Sequence, residues 1–428
     1  MKILFATEYY HPFAPGGTPW SLRLLARALS ARGDEVVVVT PNYGAAARET
    51  VDGVRVVRFP FWRRLPPGPS LAPARDHVNP LFHLLFARAL LRAGRALGAD
   101  VIHAQEKHAL VGASLAGWWL RIPVVLSLRD FGLICPIATC LLTHAHIPAD
   151  CSQRKLQREC APFFLDHYVG KGRLRRARVR ASLALLYLDA RFKNALVRRV
   201  RWVLGVSASI LDIYRRAGRI RPEQGRVVYN LPPEVDAHAS PVDRARVLAS
   251  FGLPDRPLVL YVGKLSLGKG FPVFVEAAVV VAALRPGTVF VAVGAGPAPV
   301  SRAGVDLRCL GIRSHEEVEA LYAVADVVVH PAVWPEPFSR VPLEAAAFGK
   351  PLVGTRIGGT PEAVEDKRTA LLVERDDPQA LAHAVAQLLG DAALRRSLGA
   401  GARALVAERF APAVVVDGLR AVYRDARA

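Results

Sequence analysis

Short apolar runs alternate along this chain with stretches whose apolar residues recur every three to four positions. In the first half the runs are Lys2–Ala6, Val36–Thr40, Val54–Phe59, Asp100–His103, Pro123–Leu128, Val203–Val206 and Val227–Val228. They are short and lack polar alternation, the mark of strands buried on both faces. Helical periodicity covers about Pro19–Arg32, Leu81–Leu97 and Lys171–Arg201, and a further helix begins near Ser207. The second half repeats the rhythm, with strands expected at Leu258–Val262, Val289–Val293, Leu307–Leu310, Val327–Val329 and Pro351–Gly354. Helices are expected there at His315–Ala323, Ser339–Phe348, Pro378–Leu389, Ala392–Glu408 and Ala413–Arg424. Strand–helix alternation of this kind predicts an α/β fold with parallel, doubly wound sheets.

One stretch carries more than rhythm. Asp326–Glu362 reads DVVVHPAVWPEPFSRVPLEAAAFGKPLVGTRIGGTPE. A buried strand is followed by a loop containing Pro331, Pro335 and Pro337, then a helix with Ser339 as N-cap and Pro342 in its first turn. Gly349 closes the helix and another apolar run follows. Glu336 stands in the loop and Glu344 on the helix, with seven residues between them. That places one carboxylate at the C-terminal edge of a parallel sheet, where open α/β folds bind ligands, and the other a turn or so deeper.

With 428 residues the chain is too long for one ordinary core, and two domains are expected. We place them at residues 1–235 and 236–410, with a final helix, 411–428, returning to the first; Pro232–Pro257 is linker plus one short helix. No apolar run reaches the roughly 18–20 residues of a membrane span. The start, MKILFATEYY, is broken by Glu8 and reads as a first strand rather than a signal peptide, so a cytoplasmic location is expected. The net charge of +20 is lopsided. Residues 1–235 hold 35 Lys and Arg against 16 Asp and Glu, whereas residues 236–428 hold 22 against 21. Such asymmetry points to an acidic partner for the first half: an anionic membrane surface, a pyrophosphate-bearing acceptor or nucleic acid. Lys171–Arg201 concentrates it, with eleven basic residues and one acid, Asp189. This is either a membrane-surface helix or a solvated one whose arginine stems cover the domain. The proline-rich stretch Pro60–Pro80, opening on Phe61, Trp62, Arg63 and Arg64, packs on its own domain or meets lipid headgroups.

The strand–loop–helix context of Glu336 and Glu344, with the words PEPF, LEA and GGTPE, resembles glycosyltransferase family 4, also called group 1, of the GT-B fold. The resemblance implies two Rossmann-like domains facing across a cleft, and retaining transfer of a sugar from a nucleotide-diphosphate donor, UDP- or GDP-linked. It places Glu336 against the donor sugar and Glu344 on the nucleotide ribose, with Phe338 and Ser339 beside them. Gly263-Lys264-Leu265-Ser266-Leu267-Gly268-Lys269-Gly270 follows the first strand of the second half. The family sets an arginine and a lysine there against the diphosphate; here Lys264 keeps the charge without the guanidinium fork, and Lys269 is the lysine. Gly263 and Gly294 line the same side. Gly294-Ala295-Gly296-Pro297 is not a dinucleotide fingerprint, because Pro299 stands at the third glycine position.

In the first half, paired glycines between a first strand and its helix let backbone approach a phosphate, and equally make a tight turn. The resemblance sets Gly16 and Gly17 against the donor diphosphate and the acceptor. His103 and Asp130 fall on the acceptor side, though a strand-end histidine such as His103 is usually packed. Gln105 stands where relatives often carry a second histidine, and Tyr229-Asn230-Leu231 matches the family's crossover strand end. Arg129 replaces a histidine near the transferred sugar. It cannot be a base near neutral pH but can donate to a hydroxyl or phosphate. No side chain stands out as a base, consistent with the leaving phosphate oxygen taking the acceptor proton.

No metal is expected at the site, since no D-x-D pair is placed for one. Cys135, Cys140, Cys151 and Cys160, with His144 and His146 among them, lack the paired spacing of a zinc knuckle. Either a metal or an irregular loop of reduced thiols fits them; Cys309 reads as a lone buried residue. The expected partners are the nucleotide-sugar donor, an acidic or lipid-linked acceptor and an anionic membrane surface, with no nucleic acid and no resident cofactor. A nucleotide-sugar epimerase or hydrolase of the same fold, and a non-catalytic binding protein, share these features.

Overall fold

The runs without polar alternation form the centres of two sheets in the computed structural model, which describes residues 1–143, 147, 151–235, 242–297 and 303–428. The chain divides into two units, Met1–Leu231 with Pro412–Ala428, and Pro232–Ala411.

The first unit holds β1 (Lys2–Ala6), β2 (Glu35–Asn42), β3 (Arg48–Val51), β4 (Val54–Pro60), β5 (Val101–Ala104), β6 (Val124–Leu128), β7 (Trp202–Gly205) and β8 (Gly225–Val227). Their order is β3-β4-β2-β1-β5-β6-β7-β8, parallel except for β3, which pairs antiparallel with β4. That edge strand was not among the expected ones. It is short and polar, but Asp52-Gly53 between Val51 and Val54 is the dipeptide of a two-residue hairpin, and both residues have positive φ (50° and 78°). The first helix starts two residues earlier than expected, at Gly17, so Gly16 is its N-cap. The helix Pro80–Leu97 starts on Pro80, capped by Asn79 Oδ1, and ends at left-handed Gly98. The final helix, Pro412–Arg427, belongs to this unit: Val415, Val416, Leu419 and Tyr423 share a core with Phe5, Leu22 and Leu25. The proline-rich segment packs on its own unit, Phe61 stacking on His77 at 5.8 Å and meeting Tyr43 edge-on at 5.3 Å.

The second unit is a six-stranded parallel sheet, β11 (Asp306–Gly311), β10 (Val289–Val293), β9 (Leu258–Val262), β12 (Val327–His330), β13 (Leu352–Thr355) and β14 (Ala370–Val373), in that order. β14 is an edge strand that the pattern alone did not separate from its surroundings. Chain order reverses between β1 and β5 in one sheet and between β9 and β12 in the other. These reversals open a crevice outside the carboxyl ends of the strands.

Candidate functional site

At the second unit's reversal, the loops after β9, β10, β12 and β13 are locked together by backbone. Gly294 (φ 149°) brings its Cα so close to the β9 loop that a Cβ would lie 1.9 Å from the Gly263 carbonyl oxygen. Gly270 (φ 70°) closes the β9 loop, where a Cβ would lie 1.6 Å from the Pro331 carbonyl oxygen of the β12 loop. Only glycine fits either place. The Val333 and Trp334 amides both donate to the Gly268 carbonyl, at 3.1 and 3.0 Å, and the Gly359 amide donates to that of Glu336 at 2.8 Å. So fixed, Glu336 presents Oε2 at 2.7 Å from Lys269 Nζ, with 13% and 32% of the two side chains exposed. Lys264 is exposed; its carbonyl accepts from Tyr261 Oη at 2.7 Å, which pins the loop without engaging the ammonium. Burial lowers the His330 imidazole to about 4 despite nearby Glu336, so it is neutral at pH 7.

The helix Arg340–Ala347 carries Glu344. Ser339 caps it weakly, accepting from the Val341 amide at 3.4 Å, and buried Phe338 packs 5.8 Å from the Phe410 ring. Glu344 is buried, and both its oxygens are engaged: Oε1 accepts from Arg340 Nε and Oε2 from Tyr322 Oη, each at 2.9 Å. Neither partner was singled out from sequence, although Arg340 stands one helical turn before Glu344.

The first unit's edge is assembled from the loops after β1, β5 and β6. Gly16 and Gly17 are exposed at the start of a fifteen-residue helix, and nothing lies within 4 Å of a Cβ built on Gly16. Arg129 donates to Gln105 Oε1 at 2.7 Å and to Asn230 Oδ1 at 2.9 Å, so the two residues that stand in place of an expected histidine engage one another. Asp130 pairs with Lys107 at 3.0 Å and accepts from the Gly132 amide. His103 is the packed strand histidine: Nδ1 meets Tyr423 Oη at 2.6 Å, Nε2 meets Ser127 Oγ at 2.8 Å, and burial holds its pKa well below the usual value. It does not reach the edge as an acceptor-side group.

Two carboxylates at this edge escaped the sequence reading. Glu8 Oε1 accepts from the His108 amide at 3.0 Å, while Glu106 Oε2 accepts from the Glu8 amide and Thr7 Oγ, at 2.9 and 3.1 Å. Each loop is thus strapped by the other's side chain. Burial, then the charge of Glu106, pushes Glu8 up to about 8. Their signal was position: acids two residues beyond the ends of strands β1 and β5.

The basic stretch becomes the helix Arg173–Val197. One of its eleven cations is not on the surface: Lys193 is buried, donating to Asp189 at 2.6 Å and meeting His108 Nδ1 at 2.8 Å. Cys135 is buried, and Cys140, Cys151, Cys160 and Cys309 are half-buried. Among the described residues no group of three His, Cys, Asp or Glu is arranged to hold a metal, and no helix is long and apolar enough to cross a membrane. His144, His146 and Pro299 lie outside the described residues.

Residues 16–230 match the model of the glycosyl transferase 4-like domain and residues 256–391 that of glycosyl transferases group 1. The alpha-D-kanosaminyltransferase of Streptomyces kanamyceticus is 29% identical over 54% of this chain and 61% of its own. The D-inositol 3-phosphate glycosyltransferase of Acidothermus cellulolyticus is 36% identical over 51% of each chain. The chain spans about half to three-fifths of the length of these curated relatives. Among solved structures, Anabaena Alr3699/HepE in complex with UDP-glucose superposes with a TM-score of 0.69 at 21% identity, covering 99% of this chain and 100% of that one.

Proposed function

The chain belongs to the group 1, family 4-like glycosyltransferases and has their two-domain Rossmann-like GT-B fold, and from that premise we propose that it transfers a hexose from a nucleotide-diphosphate sugar to an acceptor with retention of configuration. The observation that carries this reading is the 2.7 Å approach of Lys269 to Glu336 across the two loops at the second unit's reversal point. An ammonium beside a carboxylate there serves both ends of a glycosyl donor. Lys269, aided by Lys264, stabilises charge growing on the departing diphosphate, and Glu336 lies against the sugar. Glu344 takes the ribose hydroxyls. The reaction needs no metal, and the leaving phosphate oxygen takes the acceptor's proton. Arg129, held by Gln105 and Asn230, donates to a hydroxyl or phosphate on the acceptor side.

The donor is UDP- or GDP-linked, and the acceptor is acidic or lipid-linked. The helix Arg173–Val197 supports a membrane setting. Its buried face is Leu183, Tyr187, Ala190 and Val197, while Leu174, Leu185, Leu188 and Phe192 are 78, 50, 55 and 59% exposed among arginines. Apolar side chains interleaved with cations suit the anionic surface at which a lipid-linked acceptor is presented, on the cytoplasmic side.

Incubation with UDP- and GDP-sugars, with and without candidate acceptors, tests the reading. Product with the donor's anomeric configuration by NMR, unaffected by EDTA, is expected. Turnover of donor alone supports an epimerase or hydrolase instead, and an inverted product or a strict metal requirement overturns the mechanism.

A further inference from the structure

Arg340 is left with two unanswered groups. Its Nε donates to Glu344 at 2.9 Å and its side chain is 12% exposed, yet both terminal nitrogens are buried without a hydrogen-bond partner. Unpaired guanidinium donors out of water are costly, and a native protein keeps them only where something else answers them. Their setting narrows what that is. Glu344 Oε2 is taken by Tyr322, and the Arg340–Glu344 pair is internally neutral, so the place does not repel an anion. A second carboxyl in electrostatic reach, Glu319, is pushed up by burial and by Glu344, which makes it a weak anionic partner for the guanidinium. Arg340 also opens the first turn of its helix, the end that carries unpaired amides and positive potential.

We propose that Arg340 is a donor-binding residue that holds Glu344 through Nε and a phosphate oxygen of the nucleoside diphosphate through its terminal nitrogens. This rests on the reading of the second unit as the donor domain. The planar fork spans two acceptors at once, one protein carboxylate and one ligand oxyanion, as an ammonium cannot. The ribose carboxylate and the phosphate contact are thereby set by one side chain, so a nucleotide is read as a ribose–phosphate unit rather than as separate groups.

Calorimetric titration with UDP and GDP, and with uridine and guanosine as their phosphate-free counterparts, tests the assignment. Arg340→Gln, which can still donate to Glu344, weakens the diphosphate that the wild type binds by about tenfold to a hundredfold. It leaves the matching nucleoside within about twofold, because the ribose contact persists. Arg340→Lys keeps the charge without the fork and falls between; it also decides the matter if the glutamine variant does not fold. Wild-type affinity for the diphosphate in the folded variant overturns the assignment. So does equal weakening of diphosphate and nucleoside, which makes Arg340 a support for Glu344 alone. A wild type that binds neither diphosphate overturns the donor-domain reading and this inference with it.

Discussion

The two sheet edges handle charge differently. At the second unit's edge, Glu336 meets one cation, Lys269, in a contact where a third of the lysine side chain faces solvent. At the first unit's edge, Glu8 and Glu106 strap each other's loops, Lys107 pairs with Asp130, and Arg129 lies between Gln105 and Asn230. The first arrangement leaves a cation and a carboxylate available to a ligand. The second is a cross-braced wall in which burial, more than any single partner, governs protonation. A donor with a leaving diphosphate suits the former, and an acceptor hydroxyl that must be oriented but not deprotonated by a protein base suits the latter.

The sharpest break comes from the second unit. Glu336→Gln lowers kcat about 10²–10³-fold, while Lys269→Ala and Glu344→Gln cost about tenfold to a hundredfold, with Glu344→Gln acting mainly on the donor KM. Steady-state kinetics on variants with wild-type circular dichroism measure this; unchanged kinetics in both glutamate variants would remove the site assignment.

The first unit's outer face comes next. Arg173, Arg175 and Arg178 are exposed on the basic helix, and cations close to an anionic surface contribute about 1 kcal/mol each. Replacing all three by glutamine weakens co-sedimentation with phosphatidylglycerol vesicles about a hundredfold and leaves donor affinity intact. Wild-type protein that ignores such vesicles at low salt points to a soluble acidic acceptor instead.

The smallest effect reads the first unit's wall directly. Glu8 titrates near 8 in the fold against an ordinary 4.5, so between those values the native state holds a proton that the unfolded chain has released. Its contribution to stability is complete below about pH 4.5 and is lost as pH rises toward 8. In that window the unfolding constant rises by up to about tenfold per pH unit, and Glu8→Gln, which mimics the neutral acid, flattens the slope. Melting curves from pH 5 to about 9 check it; equal slopes in the two proteins would mean that Glu8 is ionised in the fold.

Legibility in the sequence followed contact range. The central strands were readable because burial on both faces removes polar alternation from runs such as Val36–Val39 and Val289–Val293. Two of the four edge strands, Arg48–Val51 and Ala370–Val373, were not, since an edge is held by one neighbour and tolerates a weak pattern, whereas the edges at Gly225–Val227 and Asp306–Gly311 kept enough apolar residues to be read. Glu336 and Glu344 stood out because loop, cap and helix lie within one short stretch, so spacing alone sets their relation.

Local pattern determined the succession of strands and helices along the chain and the loop that carries Glu336; which strands lie side by side, and so where the order reverses, was settled by the sheets themselves. Tertiary structure alone decided which charges are free. Lys193 reads as one more surface cation until the helix is docked and turns it toward Asp189 and His108. His103 reads as a candidate until Tyr423, 320 residues away, occupies one of its ring nitrogens. Glu8 reads as an ordinary acid until a loop 98 residues on buries it beside Glu106. The physical reason is common to all three. A side chain's charge depends on desolvation and on neighbours within a few ångströms, and those neighbours are brought there by folding rather than by adjacency along the chain.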